Sequence, residues 1–274
     1  MSGRRSPFQR AKNPMVLQER DKKIIASCFD YRFLTQDQVR VLLEFGCQVR
    51  ASVRLRKLFD NGYLSRRFLA NFQGRARILY SPGPKGVEII SEKSGLDPLK
   101  IKQKRKQLLE IKNTSLPHYL SINKFRLAFF LASKNNPEIS LKSWKTEKEI
   151  PLSLEEKKFY PDAYLTYGYR NKLYSLFLEI DRSTETNKRF QGKVNNYLKY
   201  GFSGCYRRQF GFQFFRVLVV CQSLTRLKNL KKLIEQKTDK MFWLALQQDI
   251  LPERILARIW RRPAKDAVFS LLED

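Results

Sequence analysis

The sequence predicts an α+β protein of two domains, and three observations carry that expectation. Helical periodicity recurs three times before a β-hairpin within residues 20–95. Two segments rich in aromatic and branched residues, Tyr160–Tyr167 and Lys172–Asp181, read as strands ahead of a further helix. A nearly continuous apolar run, Phe214–Cys221, then opens a β, α, β order that closes a mixed sheet. A length of 274 residues suits two domains better than one. The expected divisions are a basic flexible arm over 1–19, a first domain over 20–95, a basic linker helix over 96–115 and a second domain over 116–274.

In the first domain, Lys22–Phe29 places Ile24, Ile25 and Phe29 at helical spacing. Thr35 caps a second helix holding Val39, Leu42 and Leu43. A third runs from about Val49 to Phe59, with Val53, Leu55, Leu58 and Phe59 expected inward and Arg50, Arg54, Arg56 and Lys57 outward. Asn61-Gly62 stops it. Tyr63–Phe68 and Arg77–Tyr80 follow as two strands joined across Gly74. Three helices and a hairpin make a winged helix-turn-helix. Its third helix would enter the major groove, while Arg66, Arg67, Arg75 and Arg77 on the wing would reach backbone or minor groove. The plainer alternative is a solvated helix face; the equally basic wing favours groove contact. Ser81-Pro82-Gly83-Pro84-Lys85-Gly86 punctuates the chain, Val87–Ser91 begins a short helix, and Asp97-Pro98 breaks again. Lys100–Lys112, carrying Leu108, Leu109 and Ile111, reads as the linker helix.

Composition fixes the class of partner. Fifty-four Lys and Arg against 26 Asp and Glu give a net charge of +28 and a pI of about 10.1. Such a field attracts polyanions and releases counterions on a phosphate backbone, so double-stranded DNA is the expected partner. No apolar run is long enough to span a bilayer, and the basic first residues lack the apolar core of a secretory signal. Cys28, Cys47, Cys205 and Cys221 have neither zinc spacing nor disulfide density. A cytoplasmic location is expected.

The candidate chemistry lies in the second domain. Strand side chains alternate, so Leu176, Leu178 and Ile180 face one way while Phe177, Glu179 and Asp181 face the other. If the two strands pair as a hairpin, Asp162 lies beside Glu179 and Asp181. Three carboxylates at one sheet end repel unless a hard cation sits between them. Mg2+, or Mn2+, held by Asp162 and Glu179, is the natural occupant; it activates water and neutralises charge on a phosphodiester. A helix bearing Lys193 and Tyr197 follows. This order is the layout of a PD-(D/E)XK nuclease, with Asp162, Glu179, Asp181, Lys193 and Tyr197 as catalytic candidates. The plainer alternatives are a surface hairpin with acids at one end, a phosphate-contacting or surface Lys193, and a core Tyr197 beside Phe190, Val194 and Leu198. His118, the only histidine, starts a helix running to about Ser133, with Leu127, Phe129, Phe130 and Leu131 in the core. It reads as a structural residue with Asn123 as partner, and Glu147, on the strand before Asp162, is the candidate extra acid. A helix over Leu224–Lys237 and a strand over Met241–Leu246 complete the domain. The final segment, with Ile255, Ile259 and Trp260 among arginines, docks on the core or on a partner.

Several motifs, in order, resemble one family. They are Leu34-Thr35-x-x-Gln38-Val39, Arg54-Leu55-x-x-Leu58-Phe59-x-x-Gly62-Tyr63-Leu64, Tyr80-x-x-Gly83-x-Lys85-Gly86 and Leu116-Pro117-His118-x-Leu120-x-x-Asn123. Trp144-x-x-Glu147, Pro161-Asp162-Ala163, Glu179-Ile180-Asp181 and Lys193-x-x-x-Tyr197 continue the series. Together, over roughly residues 20–225, they resemble the replication-relaxation proteins of plasmids and other mobile elements. The resemblance implies a winged helix joined to a nuclease-like domain, and a role in plasmid replication, mobilisation or DNA relaxation. It also implies a bacterial, nucleoid- or plasmid-associated location and a relaxase, replication or transposition protein as partner; a homodimer is left open. One departure bears on activity. The nuclease superfamily usually has lysine where this chain has Asp181, and Lys193 on the next helix is the residue that could replace it. Two readings therefore stand: a Mg2+-dependent endonuclease or nickase, or a non-catalytic DNA-binding accessory whose nuclease-like domain is a scaffold.

Overall fold

The computed structural model describes residues 15–69, 77–154 and 157–273. The chain forms two compact units divided between Asn123 and Lys124.

The first unit opens with α1, Glu19–Asp30, whose start is closed reciprocally by Gln18 and Asp21; the Gln18 N–H donates to Asp21 Oδ2 at 2.7 Å. A short β1, Leu34–Thr35, leads into α2, Gln36–Leu42. Thr35 caps it as expected: its Oγ1 accepts from the Gln38 N–H at 3.2 Å, and Gln38 Oε1 accepts from the Thr35 N–H at 3.0 Å. Next comes α3, Gln48–Asp60, burying Ala51, Leu55, Leu58 and Phe59. Val53 does not face inward as expected. At about 100° per residue it lies opposite that buried stripe, and it is 51 % exposed.

Strands β2, Leu64–Leu69, and β3, Arg77–Pro82, pair antiparallel, and β1 adds to the far side of β3 to give the order β1-β3-β2. The turn between β2 and β3, with Gly74 and Arg75, lies outside the described residues. At the close of β3 the backbone passes very near the end of α3. A Cβ on Gly83 would come within 2.3 Å of the Gly62 carbonyl oxygen and 2.8 Å of the Leu64 nitrogen, and one on Gly86 within 2.6 Å of the Tyr63 oxygen. Only glycine fits there. Two helices complete this part, α4, Gly86–Ser94, and α5, Pro98–Glu110. The segment read as a linker thus forms α5, which buries Ile101 and Leu108; Leu108 joins Phe33, Leu79 and Leu116 in one apolar cluster of this unit.

The division falls inside α6, Leu116–Lys134. Beyond it the second unit has a mixed sheet built from β4, Ile139–Thr146; β7, Ala163–Tyr169; β8, Lys172–Asp181; β9, Arg216–Cys221; β10, Phe242–Leu246; β11, Trp260–Arg261; and β12, Val268–Phe269. Its order is β12-β11-β10-β9-β8-β7-β4, with β8, β9 and β10 parallel and the other neighbours antiparallel. A separate small hairpin pairs β5, Leu152–Leu154, with β6, Lys157–Phe159. Arg170 and Asn171, at φ 46° and 62°, make the two-residue turn between β7 and β8. Three helices, α7, Asn187–Phe202, α8, Cys205–Phe210, and α9, Leu224–Glu235, cover one face of the sheet. There Phe177, Val219, Cys221 and Leu244 meet Val194, Tyr197, Tyr206 and Leu230. The other face carries Tyr167, packed edge-on against Phe129 of α6 at 5.3 Å. In α6, Leu127 and Phe129 are buried as expected, while Phe130 and Leu131 are only half-buried; Phe125 takes their place in the core.

Candidate functional site

Two arrangements matter, one in each unit. In the second unit, β7 and β8 pair with Ala163 opposite Leu178, so the next step of the ladder brings Asp162 opposite Glu179. The hairpin register expected from the sequence is the register observed. The Asp162 N–H donates to the Leu178 oxygen at 3.0 Å, and Asp162 Oδ2 accepts from the Ile180 N–H at 2.6 Å. Glu179 points toward α7 and is 3 % exposed. Lys193 and Tyr197, one helical turn apart on α7, both reach it: Lys193 Nζ lies 2.8 Å from Oε2, and the Tyr197 hydroxyl donates to Oε1 at 2.6 Å. Lys193 also lies 3.2 Å from Glu185 Oε2. Tyr197 is a core aromatic as well, its ring 5.3 Å from Phe159 and 5.6 Å from Phe177.

Asp181 shares the α7–α9 side of β8 but belongs to a different bond set. Arg226 of α9 grips it in a fork, Nε to Oδ1 at 2.9 Å and Nη2 to Oδ2 at 2.8 Å, while the Ser183 N–H adds a bond to Oδ1 at 2.8 Å. Arg226 also donates to the Glu185 carbonyl and to Asn187 Oδ1. Nothing in the local sequence singles out Arg226, which stands 45 positions after Asp181.

Burial, with the charge of Asp162 added, pushes the Glu179 carboxyl up to about 7, against the pull of Lys193 and Tyr197. Burial lowers Lys193, but Glu179, Asp162 and Glu185 more than offset it, so the ammonium is held protonated well above the ordinary lysine value. Burial also drives the Tyr197 phenol far upward, so its hydroxyl stays a donor.

Mg2+ and Mn2+ require oxygen ligands, and Asp162 and Glu179 are of that type. The rest of the arrangement does not fit a resident ion. Both Glu179 oxygens already accept bonds from Lys193 and Tyr197, and both Asp181 oxygens are held by Arg226. Among the described residues no group of three or more His, Cys, Asp or Glu side chains is gathered to hold a metal. Glu147 does not supply the extra acid from a strand: β4 ends at Thr146, and Glu147 begins a 3-10 turn over Glu147–Glu149 in which Glu149 caps Thr146. His118, half-buried at the start of α6, stacks edge-on with Tyr119, and Asn123 donates to the Tyr31 and Phe33 carbonyls at 2.9 and 2.6 Å. The Asn123 amide therefore holds the α1–β1 connection, in the first unit.

The basic residues of the first unit divide into two sets. Arg54 is turned into the fold, where its guanidinium makes a fork on the fully buried Asp21. Arg56 pairs with Asp60 at 3.0 Å. Arg66 lies over the Phe59 ring at 4.4 Å, and burial lowers its pKa; Arg67 donates to Asn113 Oδ1 at 3.0 Å. Arg50, Lys57 and Arg77 are exposed, and none is in an ion pair among the described residues. Arg75 lies outside the described residues. The face turned to solvent thus holds fewer cations than the sequence pattern suggests, because four arginines are engaged in packing and pairing.

An order of motifs runs through both units, the first rich in cations and the second built on a mixed sheet, and comparison gives the family. The chain matches the family described as Replication-relaxation over residues 26–213, more than half its length, and belongs to that family. No curated protein and no solved structure matches it. Family membership points to a role in replication and relaxation. No described helix is long and apolar enough to cross a membrane.

Proposed function

We propose that this protein is a duplex-DNA-binding factor acting in the replication, mobilisation or relaxation of a plasmid or other mobile element. In this reading the first unit is a winged helix-turn-helix, with α3 as the helix that enters the major groove and β2 and β3 as the wing. The second unit is a PD-(D/E)XK-like domain whose carboxylates are neutralised from within, and it serves as a scaffold for DNA or protein contacts. The observation that carries the proposal is the outward side of α3, where Arg50 and Lys57 stand exposed, without an ion pair among the described residues, in a chain of net charge +28. Such a face is suited to a phosphate backbone. Fluorescence anisotropy with a labelled duplex over a range of salt tests it. Binding should weaken steeply with salt, and replacing Arg50, Lys57 and Arg77 with Ala should lower the slope by about one for each phosphate that is no longer neutralised. A slope unchanged in that triple variant removes α3 and the wing from the interface.

The second reading, an endonuclease or nickase dependent on Mg2+ or Mn2+, draws on Asp162 standing opposite Glu179 with Lys193 alongside. It requires Lys193 to release Glu179. Calorimetric titration with either ion decides between the two. Ion binding that is abolished by both Asp162→Ala and Glu179→Gln would favour the nuclease; the scaffold reading expects no such binding.

A further inference from the structure

We infer that the outward face of α3 reads thymine through the branched methyl groups of Val49 and Val53, an inference that rests on the DNA-binding reading of the first unit. Along α3 the side chains facing the core are Ala51, Leu55, Leu58 and Phe59. Opposite them lie Val53, with Val49 and Lys57 one turn to either side and Arg50 next to both. Val49 is 70 % exposed and Val53 51 % exposed. Folding gives no reason for two valines there. Valine is a poorer helix former than the straight-chain residues that commonly fill exposed helix positions, and both side chains stay more than half exposed.

The surroundings select the occupant. The valines are flanked by exposed cations and by no exposed acid on that face, so the complementary surface is polyanionic and carries apolar groups at its floor. The major groove of duplex DNA has that chemistry wherever a thymine presents its C5-methyl group, which favours contact with apolar side chains. Arg50 and Lys57 would meet the phosphates on either side of the groove while Val49 and Val53 meet methyl groups between them. The result is a preference set by shape and hydrophobic contact, with no bidentate hydrogen bond needed from this helix face.

The test uses the full chain and a duplex enriched from a randomised pool by repeated binding. Each thymine of the enriched duplex is replaced in turn by deoxyuridine, which removes the methyl group and leaves base pairing intact. Loss of about fourfold in affinity is expected at each thymine whose methyl is buried. Val49→Ser and Val53→Ser should each lose the preference for thymine over deoxyuridine at the position its valine contacts, whereas Lys57→Ala should weaken both duplexes equally. Equal binding of the thymine and deoxyuridine duplexes by the unaltered protein overturns thymine readout while leaving duplex binding in place. So does an enriched sequence lacking thymine. Failure to bind any duplex overturns the DNA-binding reading itself.

Discussion

Replacing Arg54 with Ala should destabilise the first unit far more than it changes any surface. Asp21 is 0 % exposed, and Arg54 supplies the fork that neutralises it; the remaining bond to Asp21 comes from the Gln18 N–H in the cap of α1. Removing one member of such a pair leaves a buried charge without a counter-charge, a loss of about 3–5 kcal/mol. The Gln18 bond persists and water can enter the space left by the guanidinium, so the lower end, about 3 kcal/mol, is expected. For a unit of this size that is a fall of roughly 12 °C or more in Tm. All three tryptophans, Trp144, Trp243 and Trp260, lie in the second unit, so their emission serves as an internal control. Amide hydrogen exchange over α1 and α3 is the direct assay. Combining Arg54→Ala with Asp21→Ala should recover part of the loss, because the stranded carboxylate is gone. If Arg54→Ala keeps exchange protection at the level of the unaltered protein and weakens only DNA binding, Arg54 is a groove contact and the pairing argument is wrong.

Three further outcomes are expected. Arg226→Ala should cost about 3 kcal/mol in urea denaturation of the second unit by leaving Asp181 buried and unpaired, and Asp181→Ala in the same chain should restore part of it. Gly83→Ala should destabilise the first unit by about 3 kcal/mol, since the added Cβ meets backbone atoms that cannot rotate away; a circular dichroism melt at the unaltered temperature would refute the close approach. Glu179, raised by burial to about 7, binds more protons in the folded than in the unfolded state between the ordinary carboxylate range and about 7. Its contribution is therefore present at lower pH and lost as pH rises through that window. In chelator-treated buffer, stability of the unaltered protein relative to Glu179→Gln should fall over the same interval, and a rise would show that the Lys193 and Tyr197 bonds outweigh burial.

Much of the frame could be read from local pattern. Strand β8 was legible end to end because Lys172–Asp181 is rich in strand-favouring residues and follows turn chemistry, and the alternation of strand side chains put Glu179 and Asp181 on one face with Asp162 beside Glu179. The Thr35 cap and the three helices followed from side-chain chemistry within one or two turns. What escaped depended on contacts distant in sequence. Arg54 and Arg56 look alike on α3, and only Asp21, 33 positions earlier, draws Arg54 inward. Val53 was expected inward because it is apolar, although the spacing of Ala51, Leu55 and Leu58 already defines a stripe that excludes it. The strands β1, β11 and β12 are two residues long, too short to show a period. Glu147 lost its strand to a turn that Glu149 closes through Thr146.

The two acid–arginine forks have a practical bearing on how this family is dissected. The family match begins at residue 26 and stops at 213, so it contains Arg54 without Asp21 and Asp181 without Arg226. It also stops before β9, the strand that continues the ladder beyond β8. A fragment trimmed to the shared boundaries would strand one unneutralised charge in each half and leave the hydrogen-bonding edge of β8 bare, an invitation to aggregate. Insolubility of such a fragment would reflect where it was cut and would say nothing against the fold of the whole chain.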